Sequence, residues 1–426
     1  MNTIIRNGRI VDPANKRDEI ADLAIVAGRI ADPAEIQNPK AEIEEIDARN
    51  LIVAPGLIDL HVHLREPGFG WKETIKSGAR AAAAGGFTTV VCMPNTSPVA
   101  DSPSTIAWIK GRAAEVACIN VLPTGTISKG LKGEELAPIG SLRQAGVVAI
   151  TDDGHCVQNN ELMRRAVEYA RMVGLPVFDH CQDYNLVGTG VVHEGYWSTL
   201  LGLPGWPSAG EEAIVLRNVL LAELCDHQIH CQHISAAGSV RILREAQARG
   251  IKVSGEVCPH HIALTDEMVQ NFDTNFKMNP PLRTKDDVAA LLEGIADGTI
   301  SILCSDHAPH AKFEKEVEFD NAPFGIVGLE TELGLFLDLL VHKSKSIELS
   351  RLIEMYTAAP ARLLQIDAGT LQIGRAADIT LIDPDLEWTF EANKSESLSR
   401  NTPFDGWKLK GRAVRTIVGG KTVWQV

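Results

Sequence analysis

The chain has 426 residues, 45% of them apolar, and a net charge of −14. That length suits a large barrel with an accessory module, and the apolar share suits a sizeable globular core. The acidic balance, with no basic run, argues against nucleic acid and anionic membrane as partners, so positive charge for an anionic ligand must be gathered locally.

The start, Met1-Asn2-Thr3-Ile4-Ile5-Arg6-Asn7-Gly8, lacks the charged head, long apolar run and cleavage site of a signal peptide, and no apolar run approaches the length of a membrane span. Cys92, Cys118, Cys156, Cys181, Cys225, Cys231, Cys258 and Cys304 form no C-x-x-C pair. They read as buried, reduced thiols of a cytoplasmic protein.

Residues 1 to about 55 read as short strands with turns. Asn7-Gly8 carries a hairpin signal, and Ala27-Gly28 repeats the theme between Ala21–Val26 and Arg29-Ile30. The C-terminal end looks similar, through Ala377–Pro384 and Gly411–Trp424. The simplest architecture pairs the two ends into one small β module.

Between them, eight apolar strand candidates fall at 57–63, 88–93, 119–124, 147–151, 176–180, 228–233, 251–257 and 301–305. Helical patterns lie between or after them: Lys72–Ala84, Ser104–Val116, Asn160–Val173, Ala209–Leu224, Ser239–Arg249, Asp286–Ala296, Gly328–Val341 and Ser350–Ala358. Eight β/α units predict a (β/α)8 TIM-type barrel over residues 56–365, flanked by the two parts of the β module, 1–55 and 366–426. A doubly wound nucleotide-binding sheet is disfavoured, because neither glycine-rich phosphate motif is present.

In a barrel, chemistry gathers where strands stop. The first strand ends in His61 and His63, which share a face at spacing i, i+2 and so suit a metal. Arg65 follows, a fixed cation that suggests an anionic substrate. The second strand ends at Met93-Pro94-Asn95-Thr96, the fourth at Thr151-Asp152-Asp153-Gly154, the fifth at Asp179-His180 and the sixth at Cys231-Gln232-His233. The eighth ends at Ser305-Asp306-His307-Ala308-Pro309-His310. A lone histidine after a strand is commonly structural; four histidines and two or three aspartates at independent strand ends are hard to explain by packing.

With these residues in hand, the chain resembles the amidohydrolase superfamily and, within it, the class I dihydroorotases of the bacterial monofunctional kind. The resemblance runs through Pro55–Gly68, Gly86–Val90, Met93–Thr96, Thr151–Gly154, Glu256–His261, Lys277–Arg283, Ser305–His310, Pro323–Gly325 and Gly374–Asp378. It implies zinc, two ions per subunit. His61, His63 and Asp306 would hold the first, and His180 and His233 the second. Many relatives bridge the two with a modified lysine at the end of strand four. This chain has none there, and the resemblance points to Asp153, with Asp152 as the fallback. His260 and His261 match no ligand position and read as structural. His155, His193, His227, His230 and His342 read as surface or packing residues, and His307 matches no ligand.

The activity implied is the reversible cyclisation of N-carbamoyl-L-aspartate to L-dihydroorotate in pyrimidine synthesis. Asp306 would carry the proton. Arg65, Asn95 and His310 would take the substrate's free carboxylate, His63 would border it, and Asn279 with the backbone near Phe324 and Gly325 would bind the ring edge. A homodimer, aspartate transcarbamoylase as a partner and a cytoplasmic location belong to the same resemblance. The rival readings are a hydantoinase or allantoinase, which Arg65 with Asn95 disfavours, and an inactive scaffold, which the retained ligand set disfavours.

Overall fold

The computed structural model describes residues 2–36 and 43–426. Both ends of the chain enter one eight-stranded sheet. Its order is Lys421–Gln425, Lys408–Val418, Ile379–Thr389, Ile52–Pro55, Asn2–Asp12, Arg17–Val26 and Arg29–Ala31, with Ile43–Asp47 paired to the side of Asn2–Asp12. The junction is antiparallel pairing of Ile52–Pro55 with Ile379–Ile382.

Asn7-Gly8 does not form the expected hairpin. Asn2–Asp12 runs straight through as one strand, and the register against Arg17–Val26 slips between Ile5 and Gly8. Asn7 sits at φ 59°, its N–H donating to Asp22 Oδ1 at 3.0 Å, and a Cβ on Gly8 would lie 2.4 Å from Val53 Cγ2. The pair is a bulge at a close strand crossing. Ala27-Gly28 does close a hairpin, joining Arg17–Val26 to Arg29–Ala31 with both turn residues at positive φ.

The barrel is a ring of short parallel strands: Leu57–Val62, Phe87–Cys92, Asn120–Pro123, a fourth reduced to bridges at Ile150, then Val177–Asp179, Ile229–Cys231, Val253–Val257 and Ile302–Leu303. A Val62–His307 bridge and the His63 N–H bond to His307 O at 2.9 Å close the ring. The fourth strand is shorter than its apolar run. Thr151 N still reaches Gly125 O, but the Asp152 side chain turns aside to the Ile127 and Ser128 amides and ends the ladder.

Helices wrap the ring. Ile75–Gly85 starts three residues later than expected because Thr74 caps it, accepting from the Ser77 amide, and Gly86 at φ 95° ends it. Lys72 and Glu73 are thereby left in a turn facing the barrel. The helix expected over Gly328–Val341 begins only at Glu332, and it widens over Leu337–Lys343. No helix of the described residues is long and apolar enough to cross a membrane.

Candidate metal centre and substrate pocket

Six predicted side chains converge at the C-terminal mouth of the barrel. His61 Nε2 lies 3.2 Å from Asp153 Oδ1 and 3.5 Å from Asp306 Oδ1. His63 Nε2 lies 3.1 Å from Asp306 Oδ1 and 3.5 Å from Asp153 Oδ2. His180 Nδ1 is 3.7 Å and His233 Nε2 is 3.9 Å from Asp153 Oδ1. All six are buried. Asp153 therefore touches all four histidines, whereas Asp152 faces away, its carboxylate bonded to the Ile127 and Ser128 amides at 2.7 and 3.0 Å.

The donor chemistry fits a divalent cation. In three of the histidines the outward nitrogen is occupied as a donor, which leaves the inward one with its lone pair. His61 Nδ1–H donates to Glu256 Oε1 at 2.8 Å, His63 Nδ1–H to Asn95 Oδ1 at 3.0 Å, and His180 Nε2–H to Gln182 Oε1 at 2.9 Å. His180 Nδ1 then meets His233 Nε2 at 2.7 Å, two ring nitrogens aimed at one point. His61 Nε2 makes no hydrogen bond of normal geometry despite complete burial. Carboxylates that give up water need a compensating cation. Burial disfavours the charged form of His61, but Asp153 and Asp306 outweigh it and push its pKa well above the usual range, so the nest draws positive charge. Asp306 is likewise held below the usual carboxylate range, burial being outweighed by His61 and His63.

Beside the nest opens a cavity of about 290 Å³, lined among others by His63, Arg65, Asn95, Asn279, His310, Phe324 and Gly325. Arg65 is half-buried and donates from Nε to Pro309 O at 3.2 Å. No carboxylate of the described residues lies within ion-pair distance of it. Glu66, its neighbour in sequence, instead accepts from the Ile75 amide at 2.8 Å. Burial lowers the Arg65 pKa only to about 10, so the guanidinium stays charged. Asn279 Nδ2 donates to Gln182 Oε1 at 3.3 Å, and its buried Oδ1 has no partner. Arg65, His233 and Asp306 sit at φ 61°, 36° and 46°. Left-handed backbone at non-glycine residues marks places where surrounding structure overrides local preference, commonly at functional sites.

The chain matches a family model described as dihydro-orotase-like over residues 50–239. It is 51% identical to a protein named dihydroorotase from Syntrophotalea carbinolica, with all of both chains covered. It is 52% identical to one of the same name from Pelotomaculum thermopropionicum, covering 100% of this chain and 99% of that protein. The chain belongs to the dihydroorotase-like family. In fold it is similar to solved hydantoinases. An L-hydantoinase from Arthrobacter aurescens superposes with TM-score 0.89 at 25% identity, over 99% of this chain and 96% of that one. A dihydropyrimidinase from Brevibacillus agri superposes with TM-score 0.87 at 24% identity, over 100% and 95%.

For a member of this family, the contacts behind the nest are as telling as the nest. Glu256 accepts from His61, and from His230 Nε2–H at 3.0 Å. Gln182 orients His180, and Asn95, expected only at the substrate, also orients His63. Partners of this kind fix the tautomer of a metal-binding histidine. Sequence reading passed over Glu256 and Gln182. Glu256 had two signals, a carboxylate near the end of an apolar strand and its place at the head of the Glu256–His261 stretch of the resemblance; Gln182, in a loop, had none. The other histidines fall where the sequence reading left them: His155 is exposed, His230 is buried on Glu256, His342 bonds Pro384 O, and His307 bonds Glu73 at 3.2 Å.

Proposed function

We propose that this chain is a zinc-dependent dihydroorotase, interconverting N-carbamoyl-L-aspartate and L-dihydroorotate in pyrimidine synthesis. The observation that carries the reading is one cavity lined both by His63, Asp153, His180, His233 and Asp306 of the nest and by a half-buried arginine that pairs with no carboxylate of the described residues. His61, His63 and Asp306 would hold one ion, His180 and His233 a second, and Asp153 would bridge them. Zinc held there would supply Lewis acidity to the amide carbonyl and to water.

Asp306 carries the proton. In ring opening, water oxygen bonds to the ring carbonyl carbon, Asp306 takes the water's proton, and the C–N bond breaks as that proton passes to the leaving nitrogen. In ring closure the carbamoyl nitrogen attacks the side-chain carboxyl carbon and gives its proton to Asp306; the C–O bond then breaks, and the oxygen leaves as water with that proton and a second one taken from solvent. Arg65 grips the free carboxylate with a two-pronged contact, Asn95 and His310 complete that pocket, and Asn279 with the Phe324–Gly325 backbone meets the ring edge. About 50% identity to proteins named dihydroorotase supports this over a hydantoinase, whose likeness lies in the fold. Eight free cysteines suit a reducing cytoplasm. A homodimer, and docking to aspartate transcarbamoylase, extend the same reading and are tested by sedimentation with and without that partner.

The decisive experiment is Arg65→Met. Losing one side of a desolvated charge-assisted pair costs roughly 2–5 kcal/mol, so kcat/KM for dihydroorotate should fall about 30-fold or more with zinc content unchanged. Uncharged dihydrouracil should lose much less. An equal loss on both would make Arg65 a structural residue and favour a hydantoinase or allantoinase.

A further inference from the structure

Lys72 lies in the turn before the helix Ile75–Gly85 and reaches back to the pocket. Its Nζ is 2.8 Å from Glu314 Oε1 and 3.4 Å from His310 Nδ1. On the other side of the same imidazole, His310 Nε2 is 2.8 Å from Phe324 O and 3.5 Å from Arg65 Nη2. We propose that Lys72 is a positioning residue: its ammonium donates to Nδ1, fixes His310 as the Nε2–H tautomer, and so keeps the Arg65 guanidinium free for an anionic ligand. This deepens the carboxylate-binding reading of Arg65 and rests on it.

An ammonium donates and cannot accept; a carbonyl accepts and cannot donate. The two contacts lie on opposite nitrogens and demand the same tautomer. Burial, with Arg65, Lys72 and Lys315 nearby, pushes the imidazolium pKa down to about 2, so the ring has one proton to place.

The other tautomer would be harmful here. A bare Nε2 lone pair would face the Phe324 carbonyl at 2.8 Å, and it would accept from Arg65 Nη2, drawing that N–H away from the cavity. Glu314 would favour that state, since its Oε2 stands 4.0 Å from Nδ1 and would accept from Nδ1–H. Lys72 engages that carboxylate and presents a donor to the ring instead. A plain Lys72–Glu314 ion pair would leave the tautomer to Phe324 alone.

The test uses the full metal-loaded chain labelled with 15N-histidine. Two-bond proton–nitrogen spectra distinguish the tautomers, and His310→Gln assigns the signal. Wild type, Lys72→Arg and Glu314→Gln should show Nε2–H; Lys72→Met should shift toward Nδ1–H. Loss of one charged hydrogen bond should raise KM for dihydroorotate about tenfold in Lys72→Met, with kcat little changed and Lys72→Arg restoring KM. Lys72→Met retaining Nε2–H, or an unchanged KM, would overturn the proposal. So would an Nδ1–H signal for His310 in wild type. Failure of wild type to turn over dihydroorotate would instead strike the substrate reading, and the spectra would still judge the tautomer.

Discussion

Two buried clusters at the barrel mouth hold metal-type donors within 4.8 Å of one another: one around His61, the other Cys258, His260 and His261. Their difference is charge. The first carries Asp153 and Asp306; the second has no carboxylate. Burial pushes the Cys258 thiol up to about 12, the His261 pKa down to about 4 and that of His260 well below its usual value. The second cluster is therefore neutral near pH 7, and a dication entering it would find one ionisable thiol and no carboxylate to compensate its charge. The first already draws positive charge. Carboxylates stand among the converging nitrogens of one cluster and not of the other.

The largest effect is expected at Asp153. Asp153→Ala should release zinc, at least from the second position, and lower kcat by about 1,000-fold, since metal-based stabilisation is worth several kcal/mol. Asp152→Ala should keep the zinc and lose only thermal stability. Metal analysis beside steady-state rates checks both, and zinc loss from Asp152→Ala alone would reverse the assignment. A smaller effect is expected behind the nest. Glu256→Gln withdraws the carboxylate that His61 donates to, which should weaken zinc binding by about 10- to 100-fold, read by competition with a chelator.

The smallest effect on metal is expected in the neutral cluster, where His260→Gln and His261→Gln should leave zinc per chain unchanged. They should show themselves through pH instead. A histidine whose pKa is depressed on folding contributes stability that is present above its unfolded value, near 6.5, and is lost as pH falls through its folded one, here about 4 for His261. Wild type should therefore lose roughly 1 kcal/mol per pH unit for each such histidine across that window, and the double variant should lose less. Equal slopes in thermal unfolding between pH 6.5 and 4 would count against this account.

Much of the site was legible because strands impose it. His61 and His63 share a face by alternation, and Asp306 follows an apolar run read as the eighth strand. Asp153 was separable from Asp152 only by resemblance, since both end the same strand; three-dimensional contacts with Ser128 and the Ile127 amide separate them physically. What stayed hidden depends on distant partners. Asn7-Gly8 looked like a hairpin because its turn chemistry is right, and the crossing at Val53 that makes it a bulge lies far along the chain. Glu256 looked like any strand glutamate until its carboxylate met His61 and His230. Lys72 sat inside an expected helix, and its reach to His310 followed only when Thr74 took the cap.

The closure through Val62 and His307 also sets an order of birth. During synthesis His61 leaves the ribosome long before Asp306, and a chain halted short of its eighth barrel strand owns five of the six converging side chains but nothing to seal the ring. The sheet behaves alike: Ile52–Pro55 must wait for Ile379–Thr389. Such distant pairings make folding slow relative to local contacts. Formation of the complete ion-binding nest thus reports that nearly the whole barrel has been made and closed, and truncated products cannot mimic it.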